Sequence, residues 1–301
     1  MLTGCKIFIN LILIMNGKEI EKLIDRALRE DIGSGDITSQ CVVDRDLKGS
    51  AIILAKEKGI LAGLKIVQRI FNKVDPDLKF TPFFKDGDRV KAQDKIATID
   101  GNIRSVLKAE RTALNFLQQL SGVATFTSTF VNKVKGTSVR ILDTRKTVPG
   151  LRALQKYAVK LGGGYNHRMG LYDMILIKEN HIKAAGGISE AIKKTLSVSK
   201  NKSKTRELKI EVETRTLKEV EKAAHIGVGV IMLDNMSLPQ IKKAVKIIRS
   251  IDKNIKIEVS GNIDLSQVRQ IAKKGIDFIS VGALTHSAKA LDFSLKVVAL
   301  K

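Results

Sequence analysis

The sequence predicts an enzyme of the β/α barrel class, with a smaller α/β domain before the barrel. In the second half of the chain, short apolar runs alternate with helix-length segments, which is typical of a parallel sheet. In the first half, strand-like runs are separated by turn signals, which is typical of an antiparallel sheet. The 301 residues are enough for both domains. A doubly wound open sheet is the alternative to the barrel, but no Gly-x-Gly-x-x-Gly pattern follows its first strand.

The first domain is predicted to begin with a helix. Apolar residues recur at helical spacing over Glu19 to Arg29, and a glycine-rich polar loop follows at Asp31 to Asp36. Turn signals such as Asp86-Gly87 then separate short apolar runs. These runs predict three strands, at Ser50 to Ala55, Leu78 to Phe84 and Ile96 to Ile99.

The barrel domain is predicted to follow a helical region. Leucines at helical spacing predict a helix from Ser105 to Leu120, and Ser121-Gly122 predicts an interruption before a second helix, Val123 to Val134. Helical periodicity also appears at Leu217 to Ala224, Leu238 to Ile248 and Leu265 to Lys273. Six β-then-α units in series favour a barrel. Their predicted strands are Val139 to Leu142, Met174 to Ile177, Leu208 to Val212, Val230 to Leu233, Ile255 to Val259 and Phe278 to Val281.

The domain boundaries follow from this pattern. We expect an extra segment at 1–14 that is not part of the fold, an N-terminal α/β domain at 15–120 and the barrel at 121–301. The last helix of the barrel domain is expected to pack back on the N-terminal domain. Ile7 to Met15 is apolar but too short to span a bilayer, and no small-residue cleavage site follows it. Met15 is an alternative start, because the globular pattern begins just after it.

The charge of the chain indicates an anionic ligand. It has 53 basic and 31 acidic residues, a formal net charge of +22, which raises the local concentration of anions. The basic residues are spread along the chain, and we interpret the densest stretch, Lys193 to Arg206, as a solvated loop. Only 4% of residues are aromatic and tryptophan is absent, which argues against a base-stacking surface. Neither nucleic acid nor a membrane is therefore the expected partner, although an RNA-binding protein is the alternative from another class.

The cysteine content favours a reducing compartment. Cys5 and Cys41 are the two cysteines, and no Cys-x-x-Cys pair or histidine at ligand spacing accompanies them. The sequence therefore supports neither a disulfide framework nor a zinc site, and we expect a cytoplasmic protein.

Cations follow the early strands of the predicted barrel, where barrel enzymes carry their chemistry. Arg145 and Lys146 come after the first strand and Lys178 after the second, and His167-Arg168 lies in the loop between them. Arginine matches the geometry of carboxylate and phosphate, and lysine acts as a point charge. Each alone would be interpreted as a surface ion pair, but together they predict an anion-binding pocket.

Carboxylates follow the middle strands. Glu213 and Asp234 end neighbouring strands, where they could share a divalent cation, directly or through water, or hold sugar hydroxyls. Mg²⁺ is the natural choice for a substrate that carries phosphates. Glu211 lies two residues before Glu213, on the same face of the strand, and we expect it deeper in the barrel as part of an ion pair.

Small residues follow the last two strands. Ser260-Gly261-Asn262 and Gly282-Ala283 each precede a helix-like segment, so their backbone amides could bind a phosphate. His181 and His286 are second-rank candidates, because a histidine in a loop is more often structural than catalytic.

At these positions the chain closely resembles the quinolinate phosphoribosyltransferases, also called nicotinate-nucleotide pyrophosphorylases. The resemblance runs from about Leu23 nearly to the C-terminus. Its most specific blocks are Asp-Thr-Arg-Lys-Thr with Pro-Gly-Leu-Arg, Asn-His-Arg and Lys-Glu-Asn-His, in that order. The stretches that carry it are 30–38, 110–115, 143–152, 163–168, 177–181, 233–236 and 280–286.

The resemblance implies an N-terminal α/β sandwich, an open-faced TIM-like α/β barrel and a homodimer or higher homo-oligomer, in which Arg111 reaches the neighbouring active site. It also implies the substrates quinolinate and phosphoribosyl pyrophosphate, Mg²⁺ and no organic cofactor. The products are nicotinate mononucleotide, pyrophosphate and CO₂, in de novo NAD biosynthesis. The implied residues are, for quinolinate, Arg145, His167, Arg168 and Lys178, with Lys146 and Thr147 nearby; for ribose and metal, Glu213 and Asp234; and for phosphate, Ser260, Gly261, Asn262, Gly282 and Ala283.

Lys146, Lys178, Glu213 and Asp234 are the expected catalytic residues. A phosphoribosyltransferase of the same fold that acts on another base, such as nicotinate, is the main alternative. A monocarboxylate would need fewer cations than the chain provides, which favours the dicarboxylate quinolinate.

Overall fold

The structure, a computed structural model, describes residues 17–201 and 210–300, and the side chains of 199–201 are not described. The described chain forms two compact units. The first consists of residues 17–128, 147–163 and 284–300, and the second consists of 129–146 and 164–283 with the gap at 202–209. The predicted extra segment 1–14, with Cys5, lies outside the described residues. No helix in the described ranges is long and apolar enough to cross a membrane.

The first unit is built on an antiparallel sheet of four strands in the order β12-β1-β5-β3. Apolar residues of β1, such as Ala51 and Ile53, are fully buried, as expected for a sheet with one face on the core. Two short strands, β2 and β4, form a separate antiparallel pair. The strands are β1 (Lys48–Ala55), β2 (Gly59–Ile60), β3 (Lys79–Pro82), β4 (Arg89–Val90), β5 (Lys95–Asn102) and β12 (Phe293–Leu300).

Helices complete this unit, and no range was predicted for three of them. The predicted first helix is confirmed and extends to Gly17–Ile32. Helix α3 buries Val67, Ile70 and Phe71, which recur on one helical face. The helices from the start of the described chain to residue 161 are α1 (Gly17–Ile32), α2 (Ile37–Val42), α3 (Leu64–Val74), α4 (Ile103–Lys133) and α5 (Arg152–Leu161). Of these, α2, α3 and α5 were not predicted.

The predicted break at Ser121-Gly122 was wrong, because α4 continues through it. The two residues are there for close packing. The Ser121 hydroxyl accepts from the backbone N–H of Ala62 at 3.0 Å. A Cβ on Gly122 would lie 2.2 Å from the carbonyl oxygen of Lys289, so only glycine allows that approach.

The expectation that the last helix packs back on the N-terminal domain stays a prediction, and a strand that was not predicted follows that helix. The last element is strand β12, which pairs antiparallel with β1 and belongs to the first unit. Its residues are half-buried or exposed after Phe293, as expected for an edge strand.

The second unit contains a six-stranded parallel sheet in the order β6-β11-β10-β9-β8-β7. Strands β6 and β7 are consecutive in the chain and form the two edges. This is the strand order of a barrel that is open between its first two strands, so the predicted open-faced barrel is confirmed. The strands are β6 (Arg140–Leu142), β7 (Ile175–Ile177), β8 (Ile210–Thr214), β9 (Val230–Asp234), β10 (Lys256–Ser260) and β11 (Phe278–Ser280).

Helices follow these strands, and the three that the periodicity predicted, at 217–224, 238–248 and 265–273, are confirmed. Capping explains where several begin: Thr216, for example, accepts from the N–H of Glu219 at the start of α8. The predicted basic loop from Lys193 begins inside α7 rather than in a loop, and residues 202–206 lie outside the described ranges. The helices are α6 (Glu179–Ala185), α7 (Ile188–Asn201), α8 (Leu217–Ile226), α9 (Leu238–Ile251), α10 (Val268–Ala272) and α11 (Ala283–His286).

Candidate active site

The loop that carries His167 and Arg168 is anchored beside the end of β6. Tyr165 forms a parallel bridge with Leu142, the last residue of that strand. The next residue, Asp143, is completely buried, and its carboxylate accepts from the backbone N–H of His167 at 2.9 Å and from the Asn166 amide at 2.6 Å. The strand therefore fixes the backbone from which both predicted substrate-binding side chains project.

The His167 side chain lies against two buried glutamates at the centre of the sheet. Its Nε2 is 3.1 Å from Glu211 Oε2 and 3.6 Å from Glu258 Oε1. The carboxylate side chains are 1% and 2% exposed. The prediction that Glu211 lies deep in the barrel is confirmed, and its partner is the imidazole of His167. Burial, and next the charge of Glu211, raise the pKa of Glu258 to about 8.

Arg145 and Arg168 are near enough to each other for their charges to interact. Burial and the neighbouring positive charge of Arg145 lower the pKa of Arg168, which Glu211 partly offsets. The Arg168 side chain also donates to the carbonyl of Met174 at 3.3 Å. Because like charges held together are unfavourable, this pair has an electrostatic preference for a bound anion.

Lys178 begins helix α6 at the end of β7. Its backbone N–H donates to Nδ1 of His181 at 3.0 Å, which gives His181 a role in capping the helix. The Lys178 side chain is half exposed, and its Nζ is 3.9 Å from Glu213 Oε2. The ammonium group therefore lies beside the acidic part of the sheet edge.

Glu213 and Asp234 lie near each other at the ends of β8 and β9. Burial, and next the charge of Asp234, raise the pKa of Glu213. Arg215 lies beside both carboxylates, with its Nε 3.4 Å from Asp234 Oδ2 and its Nη2 3.9 Å from Glu213 Oε1. Arg215 also pairs with Glu179 at 2.6 Å.

The ends of β9 and β10 form a tight corner. The backbone N–H of Asn235 donates to the carbonyl of Ser260 at 2.9 Å, and the amide of Asn262 donates to Asn235 Oδ1 at 3.2 Å. Gly261 has a φ of +96°, and a Cβ there would lie 2.5 Å from Asn235 Cγ. The corner therefore needs glycine, both for its backbone conformation and for its close packing.

The structure brings most of the predicted site residues to the carboxyl edge of the second unit's sheet. Those residues are Arg145, Lys146, His167, Arg168, Lys178, Glu213, Asp234, Ser260, Gly261, Asn262, Gly282 and Ala283. Two predicted site residues belong to the first unit instead. Arg111 is exposed on α4, and Thr147 accepts from Nε of Arg152 at 3.1 Å.

Sequence reasoning missed three residues of this edge: Asp143 as the loop anchor, Glu258 under His167, and Arg215 beside the carboxylates. A signal existed for two of them. Glu258 and Arg215 lie two residues from Ser260 and Glu213, respectively, and residues at that spacing share one face of a strand.

Comparisons with known proteins identify the family of the chain. A family model described as "Quinolinate phosphoribosyl transferase, C-terminal domain" matches residues 123–296, and the model of the corresponding N-terminal domain matches residues 36–121. A nicotinate-nucleotide pyrophosphorylase [carboxylating], chloroplastic, from Arabidopsis thaliana is 44% identical over 295 residues, which cover 93% of this chain and 83% of that protein. A probable nicotinate-nucleotide pyrophosphorylase [carboxylating] from Synechocystis is 43% identical over 279 residues, with 93% and 92% covered.

Solved structures give the same result. NadC from Streptococcus pyogenes is 42% identical with a TM-score of 0.88, covering 95% of this chain and 99% of that one. The nicotinate-nucleotide pyrophosphorylase from Francisella tularensis is 43% identical with a TM-score of 0.86, covering 93% and 96%. Human nicotinic acid phosphoribosyltransferase, at 13% identity and a TM-score of 0.62, shares the fold alone. The chain belongs to the quinolinate phosphoribosyltransferase family.

Proposed function

We propose that the chain converts quinolinate and phosphoribosyl pyrophosphate to nicotinate mononucleotide, pyrophosphate and CO₂ at the carboxyl edge of its six-stranded sheet. The family supports the reaction. We choose this site because cationic and acidic side chains lie at the same edge of the sheet. The cations are Arg145, Arg168 and Lys178, and the carboxylates are Glu213 and Asp234. A dianionic base and a ribose that develops positive charge need these opposite environments side by side.

Quinolinate is proposed to bind to the cationic side. Burial, and next the charge of Arg145, lower the pKa of Arg168, and a dianion bound between or beside the two guanidinium groups would offset their repulsion. Each guanidinium can form two parallel hydrogen bonds to a carboxylate. Lys178 adds a point charge, and His167 shapes the floor of the pocket.

The carboxylate pair has the donor chemistry that Mg²⁺ prefers. Glu213 and Asp234 supply hard oxygen ligands, and their mutual repulsion contributes to the raised pKa of Glu213, so a divalent cation there would be stabilised. When bound with phosphoribosyl pyrophosphate, the ion would neutralise charge on the pyrophosphate group. We propose that the 5-phosphate is held by backbone amides at Ser260, Gly261, Asn262, Gly282 and Ala283.

The first step joins the base to the ribose. The pyridine nitrogen forms a bond to the anomeric carbon as the bond from that carbon to the pyrophosphate oxygen breaks, and pyrophosphate leaves with the electron pair. The ribose has oxocarbenium character at that point, which the negative charges of Glu213 and Asp234 stabilise. No protein nucleophile is required, because the substrate nitrogen fills that role.

The second step is loss of CO₂. The carboxyl group next to the new pyridinium nitrogen leaves as CO₂, and its electron pair remains on the ring carbon, stabilised by the adjacent positive charge. That carbon then takes a proton. Three donors fit the proposed pocket, namely Lys146, Lys178 and a water molecule. Alanine variants of the two lysines distinguish them by the rate at which nicotinate mononucleotide forms in a single turnover, compared with the rate of CO₂ release.

We propose a homodimer or higher homo-oligomer in which Arg111 completes the neighbouring site. This rests on the family resemblance and on the exposure of Arg111 on helix α4. Mixing Arg111→Ala with Arg145→Ala is the test. If each site takes Arg111 from a neighbour, mixed oligomers regain one intact site and part of the activity, whereas no recovery after subunit exchange contradicts the proposal.

The decisive assay follows nicotinate mononucleotide and CO₂ with quinolinate, and in parallel with nicotinate. We expect turnover of quinolinate only, and loss of that turnover in Arg145→Ala. Turnover of nicotinate or another base would contradict the proposed substrate while leaving the phosphoribosyl half of the site in place. The cytoplasmic location expected from the cysteine content remains a prediction, which fractionation of the source cells would test.

A further inference from the structure

The buried cluster of His167, Glu211 and Glu258 has a geometry that the substrate-binding roles above do not use. The backbone N–H of Arg168 donates to Nδ1 of His167 at 2.7 Å. Nδ1 must therefore offer a lone pair, and the ring proton must lie on Nε2. Nε2 points at Glu211 Oε2, 3.1 Å away. Both ring nitrogens thus have partners inside the protein, and neither is left for a substrate.

We propose that Glu258 is a positioning residue for quinolinate recognition: with Glu211 it orients the imidazole of His167, and the imidazole in turn fixes the backbone amide of Arg168. This deepens the proposed function, because it rests on Arg168 as a quinolinate ligand. It also changes the role expected for His167, from a direct substrate contact to a link between the sheet and Arg168.

The burial of the two glutamates indicates that their carboxyl groups have specific partners inside the protein. Their side chains are 1% and 2% exposed, and Oε1 of each is buried without a hydrogen-bond partner among the described residues. Isolated buried carboxylates are costly unless they satisfy a specific partner. The partners here are the Nε2–H of His167 and the nearby charge of Arg168, which Glu211 stabilises.

Glu258 is supported as the protonated member of the pair. Burial and the charge of Glu211 raise its pKa to about 8, so near neutral pH it can donate to Glu211 while Glu211 accepts from His167. Glu258 and His167 then both donate to Glu211, and the backbone N–H of Arg168 donates to His167, so hydrogen bonds connect all four residues. A glutamine at 258 retains the shape and a donor, whereas an alanine removes both.

The first test compares Glu258→Ala, Glu258→Gln and a matched control. Ile257→Val shortens a fully buried side chain on the opposite face of the same strand, so it reports general loss of packing. We expect Glu258→Ala to raise KM for quinolinate by about tenfold or more, with KM for phosphoribosyl pyrophosphate changed less than about twofold. Glu258→Gln should restore most of the quinolinate affinity, and Ile257→Val should leave both constants near wild type.

The second test is spectroscopic and does not depend on activity. The chain has four histidines, and His167 is the one whose side chain is buried, so the ¹⁵N signals lost in His167→Asn identify it. Two-bond ¹H–¹⁵N spectra should show an unprotonated Nδ1 and a protonated Nε2 in wild type and Glu258→Gln. They should show a displaced Nε2 signal in Glu258→Ala, if that variant folds.

Several results would overturn the inference. One is a protonated Nδ1 in the wild type, and another is a Glu258→Ala variant with normal KM for quinolinate or with both constants raised equally. A third is one tightly bound metal ion per chain that Glu258→Gln releases, because the three side chains offer donor atoms within 4.8 Å of one another. Failure of the wild type to use quinolinate would refute the proposed function instead, while the spectra would still decide the position of the histidine proton.

Discussion

Replacing Gly261 with alanine tests whether the corner between β9 and β10 holds the phosphoribosyl substrate. The new Cβ would lie 2.5 Å from Cγ and Oδ1 of Asn235 and 2.7 Å from its backbone nitrogen. The side chain alone cannot relieve this overlap, because the Asn235 N–H is bonded to the carbonyl of Ser260 at 2.9 Å. The ends of the two strands must therefore separate.

The cost has two parts. An L-residue in the left-handed region, where Gly261 has a φ of +96°, costs about 1–2 kcal/mol. Overpacking at a well-packed position costs about 1–3 kcal/mol more. If about 2 kcal/mol of this total is lost from binding, kcat/KM for phosphoribosyl pyrophosphate falls by a factor of roughly 30.

Gly229→Ala is the matched control. Its Cβ would approach nothing closer than the carbonyl oxygen of Ile210 at 3.6 Å, and its φ is not in the left-handed region. Steady-state kinetics with each substrate varied, together with urea unfolding of both variants, separates substrate binding from stability. A Gly261→Ala enzyme with normal kcat/KM for phosphoribosyl pyrophosphate, or one no worse than Gly229→Ala, would refute the reasoning.

Three further perturbations have defined outcomes. Glu258 has a folded-state pKa of about 8 against an ordinary value of 4.5, so it contributes stability that is fully present below 4.5 and is lost as the pH rises through 8. Glu258→Gln should remove this loss, which is on the order of a few kcal/mol. In urea unfolding, the free energy of unfolding of the variant relative to the wild type should therefore be higher at pH 8 than at pH 5, and an unchanged difference would contradict this. Arg215→Ala removes a half-exposed cation beside Glu213 and Asp234, so Mn²⁺ should bind the substrate-free protein about two- to fivefold more tightly in an EPR titration; weaker binding would contradict this. Asp143→Ala leaves two donors of the following loop without their buried acceptor, so KM for quinolinate should rise about tenfold or more in steady-state assays, and an unchanged KM would show that the loop is fixed by other means.

The barrel strands could be predicted because each is a short apolar run with polar residues at its end. Predicted and observed ends differ by only one or two residues, as for Val230–Asp234. The register of the paired strands could not be predicted from these runs, because register depends on contacts between segments that are distant in the chain. The break at Ser121-Gly122 was predicted from local propensity, but tertiary packing requires both residues inside one helix.

The site residues, too, could be predicted where a local pattern marks them, but not where they depend on contacts between distant segments. Residues that end strands, such as Glu213 and Asp234, could be found because the carboxyl ends of parallel strands meet at one edge. Glu258 could not be assigned to His167, because the contact joins a strand to a distant loop and depends on how deep each side chain lies. Strand β12 was missed because a short run at the end of a chain gives no periodicity that separates strand from helix.

The pairing of β12 with β1 has a consequence for how the protein is made. Strand β1 is translated well before β12, one of its two neighbours, because the two strands are far apart in the chain. Until then the sheet has a bare edge of unpaired N–H and C=O groups beside buried apolar side chains such as Ile53. A nascent or truncated chain therefore has its first sheet incomplete and open to pairing with other chains, and completion must wait for a contact of very high sequence separation. Deletion of β12 should therefore cause aggregation of the first unit during synthesis, before any effect on the chemistry of the barrel can be measured.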